Sequence, residues 1–543
     1  MRRSPLGHPA ARRTFRQEIV DLHRAIFRRN QRRINASVAG YTGAFRRYER
    51  EYLRGVGRYE QPATLVELDA MLAQADVIYV GDYHTLAQAQ RSFLRLLRRL
   101  PTDRPVIVAL EFVQGRHQAA LDRFMRGAMS EQLFLRAIDH TSPWMSNGWE
   151  SFTEIFAMAR QRGWPVLAID SPGRGPAGAS LAARDRYAAR RMARALGHET
   201  RPRVIALVGE LHVAPAHLPR AVGDELARLG GAARSLVVYQ NCQEIYWQLE
   251  ARGLEHEVEL VRVAAGQYCL INTPPIVCQQ SFLNALDLDD EIPSVEAPAE
   301  NFKEYARLIA SFFDLDLADA LDDVEVATVA DLSFLNALRE RGDFSDADMR
   351  RIHKQILHSE SYYIPRAKTA YLGNLSVNHA AEEAAHFVRH VVGGLGEPRL
   401  WVDAFYARCL EEALGFLGSK LINHKRKCAT LASLERQATE RGIPRRDRRV
   451  ARAVLLHTRM EQGRRVRGAR ALYAADADTF NGVTHMLGYR LGERLYYGLV
   501  SGRLAKSEIR TLFLEKFVAE GAALTTYLYL IGRTAKVRVP ERM

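Results

Sequence analysis

Two histidines and a glutamate of this chain stand just past three apolar runs of strand length. Asp76-Val77-Ile78-Tyr79-Val80 leads into Gly81-Asp82-Tyr83-His84, and Val204-Ile205-Ala206-Leu207-Val208 leads into Gly209-Glu210-Leu211-His212. A third run, Pro105-Val106-Ile107-Val108-Ala109-Leu110, ends on Glu111. In a parallel sheet such strand ends share one rim, and ligands bind there. Two imidazoles and a carboxylate on one rim can hold a metal ion or run acid–base chemistry. His84, His212 and Glu111 are therefore the expected metal ligands, and Glu111 and Glu210 the expected catalytic carboxylates. Extended backbone would put Asp82 on the face of His84, and Glu210 on the face of His212. His217, in Pro215-Ala216-His217-Leu218-Pro219, and Asp170, at the end of Pro165-Val166-Leu167-Ala168-Ile169, extend the set. With His84, His212 and Asp82 they are the expected cofactor-binding residues. Bland roles compete: His84 in a turn where Thr85 caps the next helix, and Glu111 in a salt bridge to an arginine such as Arg116.

Two His and one or two carboxylates suit Zn, Mn, Co or Fe, and the donor set does not choose among them. An open position on such an ion would make a hydroxide nucleophile near neutral pH. Haem would take a His or Tyr as axial ligand, and Tyr83 and Tyr187 are at hand.

A second constellation lies far downstream. His379, Glu383, His386 and His390 are spaced four, three and four residues apart, which places them on one stripe of a helix. Glu383-x-x-His386 is the pair used in helical carboxylate metal sites, but a second Glu-x-x-His is missing. The plain reading is a polar face opposite Val377, Ala381, Ala384 and Val388. Gly173-Arg174-Gly175-Pro176-Ala177-Gly178 imitates a dinucleotide loop, but Pro176 removes a backbone donor from the cradle. There is no Walker A, His-Glu-x-x-His or Gly-x-Ser-x-Gly motif.

These groups need a scaffold. From residue 62 to 275, strand-like runs alternate with amphipathic helices, so the expectation is an α/β domain with a largely parallel sheet and flanking helices. One helix is expected over Leu181 to Leu196, and one near Leu218 to Leu229. Glu257 to Ile271 reads as an edge hairpin. An arginine-rich helical segment covers residues 1–60, an acidic linker 276–300, and an all-helical domain 301–543. Gly488-x-x-x-Gly492 and Gly498-x-x-x-Gly502 there point to close helix–helix contact and not a membrane dimer, because Arg490, Glu493 and Arg494 interrupt the segment.

At 543 residues and 47% hydrophobic, the chain can bury two cores. The net charge of +14 is concentrated before residue 60 and near 445–467, so solvated helix faces explain it and nucleic acid is not the expected partner. A small-molecule or peptide ligand is expected instead. No apolar run reaches a membrane span, no secretory signal is evident, and the five scattered cysteines suit a reducing compartment. The expected location is cytoplasmic.

Taken in order, Gly81–His84, Glu111 and Gly209–His212 resemble the Tiki/TraB/ChaN superfamily. Leu110-Glu111-Phe112, Ala120-Leu121-Asp122-Arg123-Phe124, Trp149, Gly163-x-Pro165 and Val208-Gly209-Glu210-Leu211-His212 look most like its ChaN branch, the haem-binding uptake proteins. The resemblance covers residues 65 to 245. It implies an α/β fold with a rim site that handles haem or iron. The Tiki and erythromycin-esterase relatives imply an alternative, a metal-dependent hydrolase of esters or peptides. A third reading is a scaffold whose site has lost its chemistry. The chain departs from the ChaN pattern in Asp82, where Glu is usual, in lacking a lipoprotein signal, and in the large helical region that follows.

Overall fold

A computed structural model describes residues 14–37, 42–138, 143–171, 180–289, 296–328, 332–359, 361–394, 400–467, 470–473 and 475–540. The Gly173–Gly178 loop lies outside the described residues. The chain forms two compact units: residues 27–294, and residues up to 26 together with 295–540.

The first unit is built on an eight-stranded sheet. Its strands are β1 (Gln61–Pro62), β2 (Val77–Asp82), β3 (Val106–Gln114), β4 (Val166–Asp170), β5 (Arg203–Gly209), β6 (Ser235–Gln240), β7 (Leu260–Ala264) and β8 (Gln267–Leu270). Their order is β1-β7-β8-β6-β2-β5-β3-β4. The pairs β6–β2, β2–β5, β5–β3, β3–β4 and β6–β8 are parallel, and only the β8–β7–β1 side is antiparallel. The three runs read from sequence are thus neighbouring parallel strands, with β5 between β2 and β3. The expected hairpin is β7–β8, with β1 added outside it.

Alternation explains why these runs stay central. Ile78, Val80, Val108, Leu110, Ile205 and Leu207 enter one core, while Val77, Tyr79, Ala109, Val204, Ala206 and Val208 enter the core on the opposite face. A strand buried on both sides must be apolar at nearly every position. Polar groups are admitted only where pairing ends. The β2–β5 register closes at Asp82 opposite Gly209. The β3–β5 register closes at Leu110 opposite Leu207, and β3 then slips register against β4 between Leu110 and Gln114. Glu111 sits in that slip. The strand therefore continues past Glu111, where the sequence reading ended it.

Helix Ala87–Arg99 follows β2, and helices Leu181–Leu196 and Leu218–Arg228 fall where the periodicity put them. Thr85 does not cap the first of these: Leu86 is its N-cap residue, and the Thr85 hydroxyl lies 3.1 Å from Ser281 Oγ. The stretch read as an acidic linker contains the helix Pro275–Asp289 and the start of Glu296–Phe312.

The second unit is helical, with one addition. A short three-stranded sheet joins β9 (Glu325–Thr328), β10 (Ser361–Ile364) and β11 (Thr369–Leu372) in the order β10-β11-β9. Four-residue strands lie below the length at which periodicity can be read. The main helices are Val377–Gly393, Trp401–Ile422 and Ala477–Val500. The glycine spacing marks close helix contact at Gly488 and Gly492 but not at Gly498 and Gly502: Gly498 faces Leu504 of the following turn, and Gly502 lies past the helix end with no atom within 4 Å. A Cβ on Gly488 would lie 2.7 Å from Cys409 O, and one on Gly492 would lie 2.5 Å from Ala413 O. Among the described residues no helix is long and apolar enough to cross a membrane.

This packing predicts opposite outcomes for two helical glycines. Gly492→Ala forces a methyl onto a neighbouring backbone carbonyl and should lower unfolding stability by ~1–3 kcal/mol. Gly532→Ala meets no atom within 4 Å, so improved helix propensity should raise stability by up to ~1 kcal/mol. Urea unfolding of both variants reads the difference, and equal midpoints would contradict the contact.

Candidate functional site

Glu111 is 7% exposed and lies where β3 leaves its register. An unpaired carboxylate there would be costly, and this one is paired on every side. The Gly209 N–H donates to Oε2. Arg184, from the helix Leu181–Leu196, donates to Oε1. His212 Nε2 stands 3.4 Å from the same oxygen. Burial pushes the acid toward protonation, but His212, Arg184, His84 and the Gly209 N–H outweigh it and hold the carboxyl well below the usual carboxylate range. Arg184, not Arg116, is the arginine partner. Arg116 is instead bonded to the next residue, with Nε 3.0 Å from His117 Nε2. Arg184 also donates to Asp170, with Nε 3.0 Å from Oδ1, so Asp170 reaches the rim through an arginine.

The two histidines are held alike. His84 Nδ1 is 2.8 Å from Asp82 Oδ2, and Asp82 Oδ1 accepts from Gln90 Nε2 at 2.5 Å. His212 Nδ1 is 2.7 Å from Asp185 Oδ1. Tyr48 completes the second arrangement: its hydroxyl donates to Asp185 Oδ2 at 2.6 Å and lies 3.0 Å from His212 Nδ1. Burial lowers the His84 pKa, but Asp82 and Glu111 reverse this, and the net shift is upward. Its side chain is 39% exposed, so water tempers that shift.

Gly209 marks the point of convergence. A Cβ there would lie 3.2 Å from His84 Nε2, 3.4 Å from Glu111 Oε2 and 3.5 Å from His212 Cδ2. His84, Glu111 and His212 therefore meet around one backbone position, reached from β2, β3 and β5.

Glu210 and His217 go elsewhere. β5 ends at Gly209 and Glu210–Val213 is a 3-10 turn, so Glu210 and His212 do not share an extended face. Glu210 lies beside Tyr52, whose hydroxyl is 3.5 Å from Oε2. Burial, then the charge of Glu244, raises its carboxyl to about 7 against the pull of His84 and Tyr52. His217 Nδ1 is 2.6 Å from Leu211 O, and Nε2 is 3.1 Å from Glu51 Oε2. Its ring stacks on Tyr48 with centroids 3.6 Å apart, so it positions the tyrosine that holds Asp185. Of the two tyrosines, Tyr187 packs over Gly115.

Three residues escaped the sequence reading: Tyr48, Arg184 and Asp185. Asp185 left a signal. It shares the buried stripe of Ala188, Ala189 and Met192 on its helix, where a carboxylate needs a partner. Tyr48, Tyr52 and Val56 likewise form the buried stripe of the helix Gly43–Val56.

In the second unit, the stripe of His379, Glu383, His386 and His390 is not brought together as a set. Glu382, His386 and Glu412 offer ligand atoms within 4.8 Å of one another, and all three are buried. Burial holds the Glu383 carboxyl well above its usual range. It also lowers the His390 imidazole to about 4.

The comparisons bear on the first unit. Residues 68–175 match the family described as "Haem-binding uptake, Tiki superfamily, ChaN". This segment is ChaN-like. It holds His84, Glu111 and Asp170, while His212 lies beyond the matched residues. A solved structure titled "Cofacial heme binding to ChaN of Campylobacter jejuni" is 16% identical, covers 34% of this chain and 88% of that chain, and has a TM-score of 0.27. No curated protein matches the chain.

Glu210 yields a pH prediction. Its native pKa of about 7 exceeds the unfolded value of about 4.3. Across that window the native state holds a proton that the unfolded state has released, so this group's contribution falls as pH rises. Glu210→Gln removes the loss. The variant should match the parent near pH 4 and exceed it at pH 8 by on the order of 2 kcal/mol, after allowance for partial solvation. Denaturant melts at both pH values measure this, and a constant difference would contradict the assigned shift.

Proposed function

We propose that this ChaN-like chain binds haem or iron at the rim formed by His84, Glu111 and His212. The observation that carries the reading is the matched support of the two imidazoles. Each has Nδ1 on a buried aspartate, Asp82 for His84 and Asp185 for His212. A carboxylate behind a histidine fixes the tautomer and makes the opposite nitrogen a better ligand. The described family binds haem, and that agrees with imidazole donors on a rim.

The residues present fit such a group. The 39% exposed His84 side chain is the donor on the solvent side, so it is the residue that would hold the group. His84 would supply an imidazole nitrogen, a donor that haem iron takes. His212, 6% exposed, and Glu111 lie behind it. Arg184 already neutralises part of the Glu111 charge. The lack of a side chain at Gly209 keeps the space between the three groups open, and the ligand there is a small molecule.

Titration of the purified chain with hemin, followed by the Soret band, tests this. His84→Ala should weaken binding by tenfold or more, since loss of supporting residues alone costs ~10–100-fold at metal centres. Gly209→Ala keeps every donor but fills the cradle, and should also weaken binding. Unchanged Soret titrations in both variants would refute the rim assignment.

A further inference from the structure

We infer that the helical unit carries a second, separate site for a divalent transition-metal ion, with Glu382, His386 and Glu412 as its protein ligands. The three offer ligand atoms within 4.8 Å of one another. Glu382 and His386 are one helical turn apart on Val377–Gly393, and Glu412 comes from Trp401–Ile422. Ligand atoms about 2.1 Å from a tetrahedral ion lie about 3.4 Å apart, so small rotamer changes close the set.

The imidazole of His386 is the independent sign. Its side chain is 9% exposed, and Nε2 stands 4.0 Å from Glu412 Oε2, beyond hydrogen-bonding range. No hydrogen bond to either ring nitrogen is present among the described residues. A buried imidazole aimed at two carboxylates without bonding either is what an ion between them would use. The backbone is shaped for it. A Cβ on Gly415 would lie 2.6 Å from His386 Nε2, so only glycine leaves the ring its place.

The carboxylates have other partners, and these set the geometry. Glu382 accepts from Arg426 Nη2 at 2.6 Å and from the Tyr489 hydroxyl at 2.5 Å. Glu412 is paired with Arg408 Nη2 at 2.5 Å and with His485 Nδ1 at 2.9 Å. Each carboxylate oxygen has two acceptor directions, so one bond per oxygen leaves the other direction for an ion. The partners act as the outer layer that fixes ligand orientation. His485, with its side chain 42% exposed, marks the solvent side, where the ion enters and keeps a water as its fourth ligand. Three protein donors of N and O type suit Zn, Co, Mn or Fe(II) better than calcium.

Cobalt(II) added to the chelator-stripped full chain tests the site through the visible absorption of the bound ion. A His84→Ala, His212→Ala double variant removes the rim donors, so that the two sites are read apart. One equivalent of cobalt should still bind to that variant. Adding His386→Asn should weaken binding at least tenfold while circular dichroism shows a folded chain. If His386→Asn does not fold, His386→Gln, which keeps a polar group in the cavity, takes its place with the same expectation. No cobalt binding in the rim double variant, or binding unchanged by a folded His386 substitution, would overturn the proposal and leave an arginine–glutamate network.

Discussion

One buried carboxylate organises the first unit. Glu111 accepts from the backbone of β5, from an arginine on a flanking helix, and faces an imidazole from the turn after β5. A charge in that position persists only if its neighbours supply what water would have. The strand ends, Arg184 and His212 are therefore not independent choices. Removing any one leaves the others with an uncompensated charge. The register slip in β3 belongs to the same constraint, because a regular strand there would carry apolar residues alone.

Two glutamates at the ends of these strands, Glu111 in the rim and Glu210 outside it, behave in opposite ways for stated reasons. Glu111 meets an arginine, two imidazoles and a backbone donor, and its carboxyl is held well below the usual range. Glu210 meets burial and the charge of Glu244, which outweigh His84 and the Tyr52 hydroxyl, and its acid is held to about 7. The difference lies in partners and not in depth. It also separates their uses: Glu111 is fixed as an anion, while Glu210 changes charge near neutral pH.

The helical unit meets the same difficulty with different means. Carboxylates enter its interior between helices that glycine lets approach, and Arg408 and Arg426 follow them in. Glycine has two effects there. At Gly492 its missing side chain admits a neighbouring backbone, and at Gly415 it admits the ring of His386. Helix approach and the placement of a polar ring thus both depend on glycine, at different positions.

The sequence by itself determined the parallel sheet, its three central strands and the meeting of His84, Glu111 and His212 on one rim. Period-two burial on both faces leaves long apolar runs, and polar residues at their ends are conspicuous against them. It also showed the glycine contact between helices. Tertiary structure decided the partners. Arg184 and Asp185 lie more than seventy residues from Glu111 in the chain, and Tyr48 arrives from an arginine-rich helix whose periodicity shows only a buried face. The turn at Glu210 was equally hidden, because two residues after a strand fix neither direction nor face once pairing stops. On the helix of His386, spacing permits Glu382 and Glu383 alike, each about one turn away. The neighbouring helix, by bringing Glu412, selects Glu382. Periodicity specifies which face of an element is buried, but the identity of what meets that face is a property of the assembled fold.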